Sequence, residues 1–89
     1  MCRIVFAPSI QRHVVLEERE LSAPTLKVAL EMVFTEAPAL RGYLLDDQGG
    51  LRRHLTIFID GLRLRDRVCL SDALAADSEV YVVQALSGG

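Results

Sequence analysis

The sequence predicts an α+β domain in which one long helix lies across one face of a sheet. Three observations carry this reading. Strand-like alternation recurs near the start, in the third quarter and at the end of the chain; a single long stretch has helical periodicity; and turn residues separate the segments. The predicted order is strand, strand, helix, strand, short strand, turn, strand. A lone amphipathic helix buries its apolar stripe by packing on a sheet face.

Residues from about Cys2 to Ala7 alternate, with Cys2, Ile4 and Phe6 on one face and Arg3, Val5 and Ala7 on the other. Pro8-Ser9 breaks the pattern, and the β-rich Val14-Val15-Leu16 predicts a second strand from about His13 to Glu18, paired as a hairpin. Thr25 then offers a hydroxyl to cap a helix. Leu26, Ala29, Leu30, Val33 and Phe34 follow on one helical face, with Lys27, Glu31 and Thr35 facing water. Ala37-Pro38 stops it, because the residue before a proline is pushed out of the α region. Leu40, Tyr43, Leu44 and Leu45 predict a short helical turn under the sheet, and Asp46-Asp47-Gln48-Gly49-Gly50 a turn. From about Leu51 to Ile59 alternation returns, with Leu55, Ile57 and Ile59 opposite Thr56 and Phe58. Asp60-Gly61 suits a tight hairpin to a return strand at Leu62 to Leu64. Ser71-Asp72-Ala73-Leu74 reads as one capped turn and Ala76-Asp77-Ser78 as another, before a last strand at about Glu79 to Ala85.

With 89 residues the chain is read as a single domain, 1–89. Its 51% hydrophobic content is high for so short a chain, which predicts that some apolar surface stays exposed for a partner. A net charge of −2 argues against nucleic acid as the main partner. No apolar run approaches the roughly 18 to 20 residues that span a bilayer, and the N-terminus has too short an apolar core for a secretory signal. The expected address is the cytoplasm, with no membrane partner. Arg52, Arg53, Arg63, Arg65 and Arg67 crowd the third quarter as a solvated rim; a docking patch for an acidic partner is the sharper alternative. Cys2 and Cys69 form neither a disulfide framework nor a metal-ligand pair, and Cys69 is expected as a small, semi-buried hydrophobe rather than a reactive thiol.

The sequence ends on Leu86-Ser87-Gly88-Gly89, directly after the apolar Val80-Tyr81-Val82-Val83. At average glycine usage two closing glycines arise in about 0.5% of chains, so the pair calls for a reason. A glycine pair makes a narrow, branch-free tail, about 86–89, whose terminal carboxylate could enter another protein's active site.

That ending, with the element order, resembles the ubiquitin-like sulfur carriers of the MoaD/ThiS family over nearly the whole chain. The carrying residues are Thr25 opening the helix, Pro38 and Leu40 after it, the Leu51-to-Gly61 strand and turn, Leu74, Asp77-Ser78-Glu79-Val80 and Ser87-Gly88-Gly89. The family commonly has Asn-Gly where Asp60-Gly61 stands, and favours Gly-Asp where this chain has Asp77-Ser78. The resemblance implies a β-grasp (ubiquitin-like) mixed sheet of four to five strands, first and last strands adjacent, with one main helix across one face. Ile4, Phe6, Ile57, Ile59, Val80 and Val82 would then face the helix. Val5, Phe58, Tyr81 and Val83 fall on the other face, where the family docks its activating enzyme. Phe58, Tyr81 and Val83 are therefore the candidate partner interface, the alternative being that they cover one another or form a dimer.

The resemblance also implies the chemistry. A free carboxylate is a poor electrophile, so a ubiquitin-activating-type adenylyltransferase (MoeB/ThiF-like) would use ATP to adenylate Gly89. A sulfurtransferase or desulfurase would supply sulfur to form a thiocarboxylate, and a sulfur-acceptor synthase would consume it, for molybdopterin, cysteine, thiamine or a related product. Gly89 would be the reacting residue, with Gly88 and Ser87 its tail, and the folded part would supply recognition.

The chain itself is not expected to be an enzyme, though it could be a synthase's small subunit; no bound cofactor and no metal are expected. His13 and His54 lack a nucleophile or carboxylate constellation and are expected as surface residues, Asp46-Asp47 reads as a turn, and no phosphate-cradling glycine loop is present. Two other readings stand beside the carrier. One is a ubiquitin-like modifier joined through Gly89 to target lysines, which isopeptide-linked adducts would reveal. The other is a non-catalytic β-grasp interaction module, which would keep its function without Gly88 and Gly89.

Overall fold

Alternation at the start of the chain produces β1 (Cys2–Phe6), whose Cys2, Ile4 and Phe6 are buried while Arg3 and Val5 are half-buried on the far face. The computed structural model describes residues 1–7 and 18–84. Within them β1 is followed by β2 (Glu18–Leu21), helix α1 (Leu26–Glu36), helix α2 (Pro38–Leu44), β3 (Leu55–Ile59), β4 (Leu62–Arg63) and β5 (Glu79–Gln84). The strands form one five-stranded sheet in the order β2-β1-β5-β3-β4. The first and last strands are neighbours and run parallel, with Ile4 opposite Val80 and Phe6 opposite Val82; the other pairs are antiparallel.

Of the second strand expected at His13 to Glu18, only Glu18 falls among the described residues, and it opens β2. Val14-Val15-Leu16 lies outside the described residues, and the strand that pairs with β1 is Glu-Arg-Glu-Leu. Only Leu21 of β2 reaches the core, opposite Cys2. The backbone ladder to β1, not burial, makes this edge a strand.

Helix α1 follows its predicted stripe: Leu26, Ala29, Leu30, Val33 and Phe34 are its buried residues. Thr25 is extended at the N-cap, and its hydroxyl accepts from the Val28 amide at 3.4 Å. The first two helical amides, which no intrahelical carbonyl can reach, donate to the carbonyls of Asp72 and Leu70. The strand-to-strand loop thus ties down the start of the helix. At the other end Ala37 closes α1, and Pro38 opens α2, where its missing N–H costs nothing. Arg41 of α2 ion-pairs with Glu31 of α1 and lies 4.8 Å from the centroid of the Phe34 ring, so Glu31 is half-buried rather than fully solvated.

Leu40 and Leu44 of α2, with Leu45, Leu51, Leu55, Ile57, Leu64, Leu70, Val80 and Val82, complete the core between helices and sheet. Ile59 packs on its margin. The strand expected from Leu51 begins at Leu55 instead. Leu51 forms an isolated bridge with Leu45, and the Arg67 guanidinium donates to the carbonyls of Arg52 and Leu55, holding the intervening turn. Two of the clustered arginines are therefore tied to backbone: Arg67, and Arg52, which donates to the Gly42 carbonyl at 2.9 Å. His54 is half-buried, edge-on to Tyr43 at 5.9 Å, not a free surface residue.

The turns follow their composition more closely than the loops do. At Asp60 and Gly61 φ is 52° and 83°, the left-handed pair that a two-residue hairpin requires. Asp46 accepts from the amides of Gln48 and Gly50, as an aspartate in a turn does. The Ser71-Asp72 segment, by contrast, caps nothing ahead of it. Both side chains reach backwards, Ser71 to the Asp66 carboxylate and Asp72 to the amides of Arg65 and Asp66. Cys69 is exposed, because this loop turns the neighbouring Leu70 inwards at φ 58°. Cys2 is the buried cysteine, its thiol donating to the Ala75 carbonyl at 3.1 Å.

Candidate functional site on the open sheet face

One sheet face is covered by α1, and strand parity assigns the residues of the other. Cross-strand partners point to the same side of a sheet. Val5 is opposite Tyr81, Tyr81 is opposite Phe58, and Val83 is opposite Thr56, so the central strand β5 carries Glu79, Tyr81 and Val83 outward between Val5 and Phe58. Tyr81 is 46% exposed at the centre of this apolar band. Phe58, Tyr81 and Val83 are thus brought together, and they line one shallow concavity of about 590 Å³ with Asp60, Gly61, Asp77 and Glu79.

The polar end of this concavity is cross-linked by hydrogen bonds. The Asp60 carboxylate accepts from the Ser78 hydroxyl and from the Glu79 amide, both at 2.9 Å, while the Asp60 amide donates to the Glu79 carbonyl at 2.8 Å. The Ser78 hydroxyl, 2% exposed as a residue, also accepts from the Ala75 amide at 2.8 Å. The two places where the chain departs from the MoaD/ThiS pattern, Asp60 and Asp77-Ser78, therefore meet, and the Asp60–Ser78 bond joins them. Glu79 pairs with Arg3 of β1 at 3.0 Å. The hydrogen bond and opposite charge of Glu79 hold the Arg3 guanidinium above its ordinary value. Asp77 is exposed and, among the described residues, unpaired.

This acidic rim was missed by reading the sequence for chemistry, although part of it was available. Parity places Glu79 on the same face as Tyr81 and Val83, and Arg3 with Val5. Nothing local to Asp60 or Asp77 marks them, because their neighbourhood comes from the hairpin meeting the start of β5.

Gly89, Gly88 and Ser87 lie outside the described residues. The described part of β5 ends at Gln84, opposite Leu55, one residue beyond Val83 of the concavity. Among the described residues no group of His, Cys, Asp and Glu side chains is placed to hold a metal ion, and no helix is long and apolar enough to cross a membrane.

Compared by sequence, the chain matches no family model and no curated protein. Compared by structure, it superposes on the small archaeal modifier protein 1 of Haloferax volcanii with a TM-score of 0.80 at 21% identity, covering 99% of this chain and 98% of that one. CysO of Mycobacterium tuberculosis, described as an antigen, gives 0.82 at 18% identity over 97% of this chain and 100% of its own. A chain of the Amycolatopsis orientalis BexX/CysO complex gives 0.83 at 13% identity with 100% of both chains covered.

The fold is a ubiquitin-like β-grasp. The β-grasp sheet explains why the last strand is central: β5 inserts between β1 and β3, so both of its edges are hydrogen-bonded and its described end lies in the middle of the sheet. At these identities the likeness concerns architecture, and the open face must be argued from its own residues.

Proposed function

We propose that this protein is a sulfur carrier of the MoaD/ThiS type, acting in the cytoplasm as one domain with its tail at about residues 86–89. The observation that carries the reading is the apolar concavity of Phe58, Tyr81 and Val83, which reaches to within one residue of the described end of β5 at Gln84. In sequence, five residues separate Gln84 from the reacting carboxylate, so a partner seated on that face is within a short length of chain of Gly89. The high similarity of the whole β-grasp to CysO, including a chain from a complex of CysO with BexX, supports the same reading.

A MoeB/ThiF-like adenylyltransferase would dock on Phe58, Tyr81 and Val83 and draw the tail into its active site. There a Gly89 carboxylate oxygen attacks the α-phosphorus of ATP, and pyrophosphate leaves. Attack by hydrosulfide on the acyl carbon then expels AMP and leaves a thiocarboxylate. With a persulfide donor from a sulfurtransferase or desulfurase, attack gives an acyl disulfide, which a second thiol cleaves to the thiocarboxylate, forming a disulfide from itself and the donor. On a synthase the thiocarboxylate sulfur attacks an electrophilic carbon of the acceptor, and water hydrolyses the resulting acyl thioester, leaving the sulfur on the acceptor and regenerating the carboxylate. The chain supplies no acid, base or cofactor to these steps. It contributes recognition by its folded face and a tail with no β-carbon at Gly88 or Gly89 to obstruct a narrow channel.

The test is ATP-dependent pyrophosphate release by the host's adenylyltransferase with this protein as second substrate. The full chain supports release, and a variant ending at Ser87 does not. Release that persists undiminished without Gly88 and Gly89 contradicts the proposal. A second reading, conjugation through Gly89 to target lysines, is favoured by the likeness to small archaeal modifier protein 1. It passes through the same adenylate and predicts lysine-linked Gly89 peptides in host digests.

A further inference from the structure

The open face of the sheet is apolar at its centre and acidic at one end. Three carboxylates, those of Asp60, Asp77 and Glu79, line the concavity beside Tyr81 and Phe58. Their commitments differ. Asp60 accepts two hydrogen bonds, which fix it without neutralising its charge. Glu79 is balanced by Arg3 at 3.0 Å. Asp77 is exposed and, among the described residues, has no partner. Across β1, register places Glu18 opposite Val5 and Glu20 opposite Arg3, extending acidic character along the same face to the β2 edge. Arg63, opposite Phe58 on β4, is the further cation on this face among the described residues.

These charges bear on what can sit there. A second copy meeting this face with its own would bring two acidic rims together, and like charges opposed across an interface are unfavourable. A partner with an apolar projection and flanking lysine or arginine finds complementarity in both parts: an apolar seat on Phe58, Tyr81 and Val83, and excess negative charge at Asp60 and Asp77. We infer that the open face is a docking site for a cationic-rimmed partner surface, in which a lysine or arginine pairs with the Asp77 corner while an apolar side chain fills the concavity beside Tyr81. This rests on the carrier reading for the partner's identity, the adenylyltransferase, and adds the chemistry by which that enzyme selects this chain. Asp77 is then a specificity-determining residue remote from the reacting carboxylate.

The experiment measures pyrophosphate release by the host's adenylyltransferase as a function of full-length carrier concentration and of salt. It compares wild type with D77K and D77N, and with D47K as a control in the exposed 46–50 turn. Exposed charge at an interface rim acts mainly on association and its salt dependence. D77K is expected to raise the KM for carrier about tenfold at low salt with kcat unchanged, and D77N by a smaller factor. Added salt narrows the gap, and D47K matches wild type. Circular dichroism melts confirm that each variant is folded. If D77K and wild type share the same KM at low salt, or if D47K shifts KM as much as D77K, the inference is overturned while the carrier reading stands. If wild type supports no pyrophosphate release at all, the carrier reading fails and this inference fails with it.

Discussion

Among the described residues, Asp66 is one whose protonation is tied to the fold. Its carboxylate accepts from the Ser71 hydroxyl and from the amides of Cys69, Ser71 and Val68. Led by the Ser71 bond, these hold its pKa down to about 2 from 3.8. A carboxyl whose pKa is lower folded than unfolded favours the fold while ionised. Its contribution is present above about pH 4 and is lost as the pH falls through about 2. D66N should therefore melt below wild type at neutral pH, with the difference closing over that window; a pH-independent difference in melting temperature would contradict this. Asp60, itself exposed, acts through hydrogen bonds that reach a buried group, since its removal leaves the buried Ser78 hydroxyl and the Glu79 amide without their carboxylate acceptor. D60A should cost about 1–3 kcal/mol in chemical denaturation. A loss within error of zero would show that the hairpin and the start of β5 do not depend on this carboxylate. Residue-level roles were only partly legible. Asp60-Gly61 announced its turn by chemistry, whereas the Asp60–Ser78 bond joins positions far apart in sequence. Cys69 was read as semi-buried from its residue type, yet the left-handed backbone at Leu70 buries the leucine and leaves the thiol outside.

Elements with a strong internal period were read nearly as they stand. The α1 stripe from Leu26 to Phe34, the Thr25 cap and the Pro38 boundary need only local information, and all are present. The Glu18–Leu21 part of β2 was not legible because an edge strand with one buried residue has no hydrophobic signature; the pairing of Cys2 with Leu21 defines it. The cap shows how tertiary contacts modify local rules. Because Asp72 and Leu70 carbonyls already accept the Leu26 and Lys27 amides, Thr25 serves Val28 alone. T25A should therefore fall at the modest end of N-cap substitutions, about 0.5–1 kcal/mol. A urea midpoint shift corresponding to about 2 kcal/mol would mean that Thr25 does more than cap.

At the scale of the molecule, the β-grasp separates its two tasks by face. The helix-covered side of the sheet holds Ile4, Phe6, Ile57, Val80 and Val82 in the core. The open side keeps Phe58, Tyr81 and Val83 at a concavity near the described end of β5. The parity of the strands made this division legible in the sequence, while the acidic corner emerged only when β4, β5 and the loop before β5 were assembled. The proposed carrier role joins the open face to the glycine tail, and the intact mass of the protein from its native host, isolated without added thiols and then treated with ATP, the adenylyltransferase and sulfide, tests it most directly. The account predicts a mass increase equal to one oxygen replaced by one sulfur, mapped to Gly89 as the terminal residue. A chain that gains neither AMP nor sulfur at Gly89 under those conditions would contradict the carrier role and leave the β-grasp as a docking domain.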